Sequence, residues 1–131
     1  MIIDSNIFLE FLLNQEKAET CKDFLNKTVR GEIEAITVDF IIDSVVISMK
    51  RNNKSLSDIM GFLKKLINSR GIRIYSVSMN DRIEAVKIMG KYNLDYDDSL
   101  ILQSAMSTNS KEILSFDKHF DKVKEIKRIE P

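Results

Sequence analysis

Short runs of β-branched residues alternate with longer stretches of helical period, and that alternation constrains the fold of this chain more than any other property. Ile2-Ile3, Ile33-Glu34-Ala35-Ile36-Thr37, the Ile72, Ile74, Val77 series, Ile113-Leu114-Ser115-Phe116 and Ile126 to Ile129 read as strands. Between them lie apolar residues at intervals of three and four. Ile7, Phe8, Phe11 and Leu12 make a first helix, and Ala18, Cys21, Phe24, Leu25 and Val29 make a second that Gly31 closes. Phe40, Ile41, Val45 and Met49 follow strand two as a third helix over Val38 to Arg51. Ser55-Leu56-Ser57-Asp58 opens a fourth as a capping box, with Leu56, Ile59, Met60, Leu63, Leu66 and Ile67 as one apolar stripe up to Gly71. Ser78 and Asp81 start a fifth helix that runs to about Tyr92, and a sixth covers Ser99 to Met106 after a connection from Leu94 to Asp98. The pattern predicts an α/β fold with a mainly parallel central sheet of four to five strands, covered by helices on both faces.

The chain has 131 residues, which suits one domain spanning residues 1–131. Lysine plus arginine equals aspartate plus glutamate at 20 each, so no global field draws the protein to nucleic acid or membrane. An anionic partner must be held by a local patch or through cations. The one cysteine, Cys21, has no disulfide partner within the chain, falls on an apolar helix face and reads as a small core residue. No charged-then-apolar leader precedes the first strand, and no apolar run approaches the ~18 residues of a membrane helix. A cytoplasmic protein with no membrane contact is expected.

Right-handed crossovers bring every parallel strand's carboxyl end to one sheet edge, so acids that follow strands converge there. Asp4 ends the first strand and Asp117 a late one, Asp98 opens a helix, and Asp43 lies one turn inside the third helix, with Asp39 a turn earlier. Each also fits a plainer role. Asp4 and Asp98 sit where helix caps and first-turn acids belong, and Asp117 where a turn residue belongs. Caps alone give no reason for them to meet. Four carboxylates in one cleft would repel one another unless cations neutralised them, and Mg²⁺ takes one or two carboxylates plus waters while leaving room for a phosphate.

Asp4-Ser5-Asn6 after an apolar strand, an acid within helix three, Asp98-Ser99-Leu100-Ile101 opening a late helix, and Ser115-Phe116-Asp117 followed by Phe120 together resemble the PIN-domain nucleases. In order, spacing and length the chain looks most like the VapC-type toxins of bacterial and archaeal toxin–antitoxin pairs. The resemblance covers nearly the whole chain. It implies a three-layer α/β/α sandwich and a magnesium- or manganese-dependent endoribonuclease acting on single-stranded or loop RNA. It further implies Asp4, Asp43, Asp98 and Asp117 as catalytic metal ligands, a homodimer, and a small antitoxin that blocks the acidic cleft. Asn6 matches the polar residue that fixes the first turn, Ser115 the hydroxyl of the Thr/Ser-x-Asp motif, and Asp97 serves as cap or support. Asp43 departs from the pattern, because the family usually has glutamate there; its shorter reach leaves open a catalytically weakened PIN-fold module that binds RNA or protein.

Metal-assisted phosphodiester hydrolysis requires no protein nucleophile. His119 lacks a histidine or cysteine partner for zinc and reads as a surface residue near the cleft. Lys50, Arg51, Lys54 and Lys118 are the candidate phosphate contacts, with the dipole at the end of helix three the stronger account of Lys50 and Arg51. Tyr92 and Tyr96 are the aromatics available for base stacking or for packing. A phosphoacceptor receiver domain would also gather acids at a parallel sheet edge. It needs an acidic pair after its first strand and a lysine after its last, and neither is present.

Overall fold

The computed structural model describes residues 1–131. Its elements, in chain order, are β1 Ile2–Ile3, α1 Ser5–Leu12, α2 Ala18–Arg30, β2 Ala35–Val38, α3 Asp39–Arg51, α4 Leu56–Ile67, β3 Ile72–Tyr75, α5 Met79–Tyr92, α6 Tyr96–Ser107, β4 Glu112–Leu114 and β5 Lys127–Ile129. A 3₁₀ turn, Lys118–Lys122, bridges β4 and β5.

The sheet runs β3-β2-β1-β4-β5 with every pairing parallel. The two-residue β1 holds the centre, where Ile2 faces Ile36 on one side and Ile113 on the other. Burial on both faces explains its composition, since Ile2 and Ile3 are wholly inaccessible. The chain steps from β1 through β2 to β3, then crosses back to β4 on the far side of β1. Right-handed crossovers therefore put α1–α4 on one face and α5–α6 on the other. Contacts agree, with α1 against α2 and α3, α3 against α4, and α5 against α6. The expected three-layer α/β/α sandwich is what forms. Between its layers lies one contiguous apolar core, in which Cys21 is fully buried.

Several expectations shift in detail. β2 begins at Ala35 rather than Ile33, and β3 ends at Tyr75, leaving Val77 in the loop that follows. Helix six starts at Tyr96, not Ser99, because Asp95 takes the N-cap and accepts the Asp98 backbone N–H at 3.0 Å. The capping boxes at Ser55 and Ser78 both form, and Gly31 closes α2 with φ at 80°. Gly71 is required for a different reason: a Cβ there would lie 2.2 Å from the Ile33 carbonyl oxygen. The expected apolar stripe of α4 is largely not the buried face. Of its six residues only Leu66 is buried and Ile59 half-buried, while Leu56, Met60, Leu63 and Ile67 are exposed, and Phe62, outside the stripe, enters the core.

Candidate metal centre at the carboxyl edge of the sheet

Strand order reverses between β1 and β4, and at that switch point the carboxyl ends of the two strands diverge into a crevice. The cleft there has a volume of about 230 Å³ and is lined by Asp4, Asn6, Phe40, Ser44, Asp95, Asp97, Asp98 and Asp117 among others. Asp4 enters from β1, Asp95, Asp97 and Asp98 from the first turn of α6, and Asp117 from the loop after β4.

Asp4 is both cap and wall. Its Oδ1 accepts the Ser5 N–H at 2.6 Å, which fixes the start of α1, and its Oδ2 accepts the Ser115 hydroxyl at 2.5 Å and the Asn6 amide at 2.8 Å. The Asn6 amide also donates to Ser115 Oγ at 2.9 Å, and its carbonyl accepts the Phe116 N–H at 3.3 Å. Ser115 Oγ in turn accepts the Asp117 N–H at 2.9 Å. One hydroxyl and one amide thus lock the turns that deliver two acids separated by more than a hundred residues of sequence. Burial pushes the Asp4 carboxyl up from its ordinary value, against the hydrogen bonds from Ser115 and Ser5 that favour the anion.

Asp98 is the least satisfied of the buried acids of the cleft. It is only 7% exposed, yet its carboxylate has a single polar contact, to His119 Nδ1 at 3.4 Å. Burial first, and the charges of Asp95 and Asp117 next, push it up to about 6. A buried carboxylate without donors, facing further carboxylates, is the donor set a hard divalent cation satisfies. Asp98, Asp117 and His119 each present a ligand atom, and these atoms lie within 4.8 Å of one another.

Other candidates fall elsewhere. Asp43 is exposed on α3, makes no hydrogen bond and does not line the cleft; the α3 residues that do are Phe40, Ile41 and Ser44. Asp39 turns toward β3, where its carboxylate accepts the Val77 N–H at 3.2 Å and ties down the loop before α5. Lys50 and Arg51 occupy the opposite end of α3, about 15 Å along the helix from Phe40 at 1.5 Å per residue. Lys54 lines an apolar groove between α1, α2 and α4 instead. Lys118 is exposed next to Asp117, and Tyr96 is exposed in the first turn of α6. Tyr92 is engaged at its hydroxyl with Glu125 at 2.7 Å.

Two cleft residues, Asp95 and Phe40, are not singled out by the sequence, and His119, expected near the cleft, makes a contact there that the sequence does not predict. Asp95 was hidden in Asp95-Tyr96-Asp97-Asp98, where any of the acids can cap. Phe40 looked like a core residue of α3 and is half-buried at the cleft wall. His119 has no sequence partner, and only the 3₁₀ turn folds its ring back onto Asp98.

A model of the PIN domain matches residues 1–126 of this chain. Among solved structures, the chain resembles VapC20 of Mycobacterium tuberculosis, a sarcin–ricin loop cleaving toxin, with a TM-score of 0.78 at 11% identity over 99% of this chain and 98% of that one. It also resembles a toxin–antitoxin complex from Klebsiella pneumoniae, with a TM-score of 0.72 at 16% identity over 95% and 93% of the two chains. VapBC2 from Rickettsia felis, bound to a DNA fragment from its promoter, matches with a TM-score of 0.72 at 10% identity over 99% and 97%. No curated protein matches the chain in sequence.

Proposed function

Since the chain belongs to the PIN-domain family, we propose that its acidic cleft is the active site of a metal-dependent endoribonuclease, the toxin of a toxin–antitoxin pair. The observation that carries this reading is Asp98, buried, nearly without hydrogen-bond donors and beside Asp4 and Asp117 at the switch point of the sheet. Mg²⁺ or Mn²⁺ held by Asp4, Asp98 and Asp117 would supply an acidified water and polarise the scissile phosphate. The chain's own residues do the positioning. Ser115 and Asn6 hold the Asp4 carboxylate in one orientation, and the Asp117 carboxylate is fixed by accepting the His119 N–H at 2.9 Å. Lys118 gives the phosphate backbone a cation at the rim, and Phe40 and Tyr96 offer ring faces to unpaired bases. Asp97 extends the acidic wall.

Two partner surfaces go with this reading. The groove between α1, α2 and α4, about 410 Å³ and lined by Phe8, Phe11, Leu12, Phe62 and Leu66, suits the apolar face of an antitoxin helix. β3 is an edge strand with Ile74 exposed, and Met79, Ile83 and Val86 form an exposed apolar stripe on the neighbouring α5; a second copy of the chain would cover both.

The test is cleavage of a structured RNA pool. The wild type cuts with Mg²⁺ or Mn²⁺ and stops with EDTA, and Asp98→Asn is inactive. The position of Asp43, exposed and outside the cleft, favours one alternative, a catalytically weakened module that binds RNA or protein. Metal binding by calorimetry without turnover on any RNA would establish that alternative instead.

A further inference from the structure

We propose that His119 is a metal ligand, making the cleft a mixed oxygen and nitrogen site that selects Mn²⁺ and later first-row ions over Mg²⁺. The proposal rests on the reading of the cleft as a metal centre and specifies which ion that centre prefers.

Its basis is the placement of the imidazole. His119 Nδ1 lies 3.2 Å from Asp117 Oδ1 and 3.4 Å from Asp98 Oδ2. Ligand atoms about 2.1 Å from one ion are about 3.0 Å apart when adjacent in an octahedron and about 3.4 Å apart in a tetrahedron. The two separations fall at and between those values, and all three ligand atoms lie within 4.8 Å of one another, so one ion can be shared with small side-chain adjustments. Packing does not account for the ring, whose side chain is 66% exposed. What holds it is the 3₁₀ turn, begun by Asp117 accepting the His119 N–H at 2.9 Å. The same carboxylate that binds the backbone of His119 thereby presents the imidazole to the cleft.

Selectivity follows from donor chemistry. Mg²⁺ favours oxygen and keeps its waters, whereas imidazole adds affinity along the series from Mn²⁺ toward Zn²⁺. Carboxylates alone follow the same order less steeply, and His119 as a ligand widens the preference for the softer ions.

His119 is the only histidine of the chain, so its imidazole nitrogens give a single pair of signals in a ¹⁵N spectrum. Titration of the intact protein with Zn²⁺, a diamagnetic probe, is expected to shift the Nδ1 resonance selectively. Calorimetry should show His119→Ala weakening Zn²⁺ and Mn²⁺ by about tenfold or more while changing Mg²⁺ affinity less than about twofold. Because the side chain is exposed, the variant keeps the wild-type circular dichroism. If Zn²⁺ binds and Asp98→Asn abolishes binding, but Nδ1 does not move and His119→Ala binds as the wild type does, the proposal is overturned and the carboxylate centre stands. If Asp98→Asn leaves metal binding unchanged, the reading of the cleft falls and this proposal with it.

Discussion

Asp98 and Asp81 are both buried aspartates, and they act on stability with opposite sign. Asp98 lacks donors, and its carboxyl is raised from 3.8 to about 6, by burial first and neighbouring acids second. The folded protein without metal therefore holds a proton that the unfolded chain gives up. Asp98's own contribution to stability falls as pH rises from about 4 through 6, and the elevation corresponds to roughly 3 kcal/mol above that range. Asp98→Asn should thus raise the urea midpoint of the protein in EDTA at pH 7.5 and flatten its dependence on pH between 4 and 6, while abolishing RNA cleavage. A variant less stable than the wild type under those conditions would mean that Asp98 is internally compensated and not poised for a cation. Ser115 makes a second case at this scale. Its hydroxyl donates to Asp4 and accepts from Asn6 and from Asp117, so Ser115→Ala leaves three polar groups, one of them the buried Asp4 carboxylate, each a partner short. A loss of about 1 to 3 kcal/mol is expected from thermal melts, with metal affinity reduced because Asp4 is no longer aimed.

Among the elements, Asp81 shows how the helical layer opposite α1–α4 is tied to the edge of the sheet. Its Oδ2 accepts from Tyr75 at 2.8 Å on β3 and from the Ser78 N–H and hydroxyl at the start of α5, while Oδ1 accepts from Ser107 at the end of α6 at 2.6 Å. Burial alone would raise this carboxyl, but the donors outweigh it and hold it far below the usual range. Its contribution is present above the ordinary carboxylate range and is lost only as pH falls through its depressed value. Asp81→Asn should cost about 3 kcal/mol at pH 7 by urea denaturation, a change opposite in sign to that of Asp98→Asn. This network combines a legible part with an illegible one. The Ser78 and Asp81 capping box was readable because both partners lie within one turn, but Tyr75 and Ser107 come from other elements. The same division runs through the site. The short central strand and the positions of Asp4 and Asp117 follow from apolar strand runs ending at acids, and that of Asp98 from the acids that open a late helix. The contact of His119 with Asp98 was out of reach, because it joins residues 21 apart in sequence and depends on the intervening loop and the five-residue 3₁₀ turn. The uncovered stripe of α4 was out of reach for another reason: periodicity reveals an apolar face but not what, if anything, packs on it.

For the whole molecule, the decisive property is an even charge balance combined with an acidic cleft and apolar outer faces. The 20 basic and 20 acidic residues cancel, while Asp4, Asp95, Asp97, Asp98 and Asp117 share one crevice, so the approach of the proposed RNA substrate, or of any polyanion, would depend on bound cations rather than on a basic surface. Apolar area is distributed just as unevenly. Met79, Ile83 and Val86 recur at helical spacing on α5, and Ile74 continues the surface along the free edge of β3. An edge strand beside an apolar helix face is an arrangement that isolated soluble proteins usually guard with charge, and on β3 that guard is the single exposed Arg73 beside Ile74. A second copy docked there would remove these apolar side chains from water, and burying an isoleucine and a valine stabilises by about 1.5 to 3 kcal/mol each. Light scattering of the wild type at micromolar concentration should give twice the monomer mass. The double substitution Ile83→Lys, Val86→Lys should give the monomer mass with unchanged helix content and metal affinity, because neither side chain contributes to the core or the cleft. A wild type that is monomeric throughout the range would remove the second copy from this surface while leaving the reading of the metal cleft untouched.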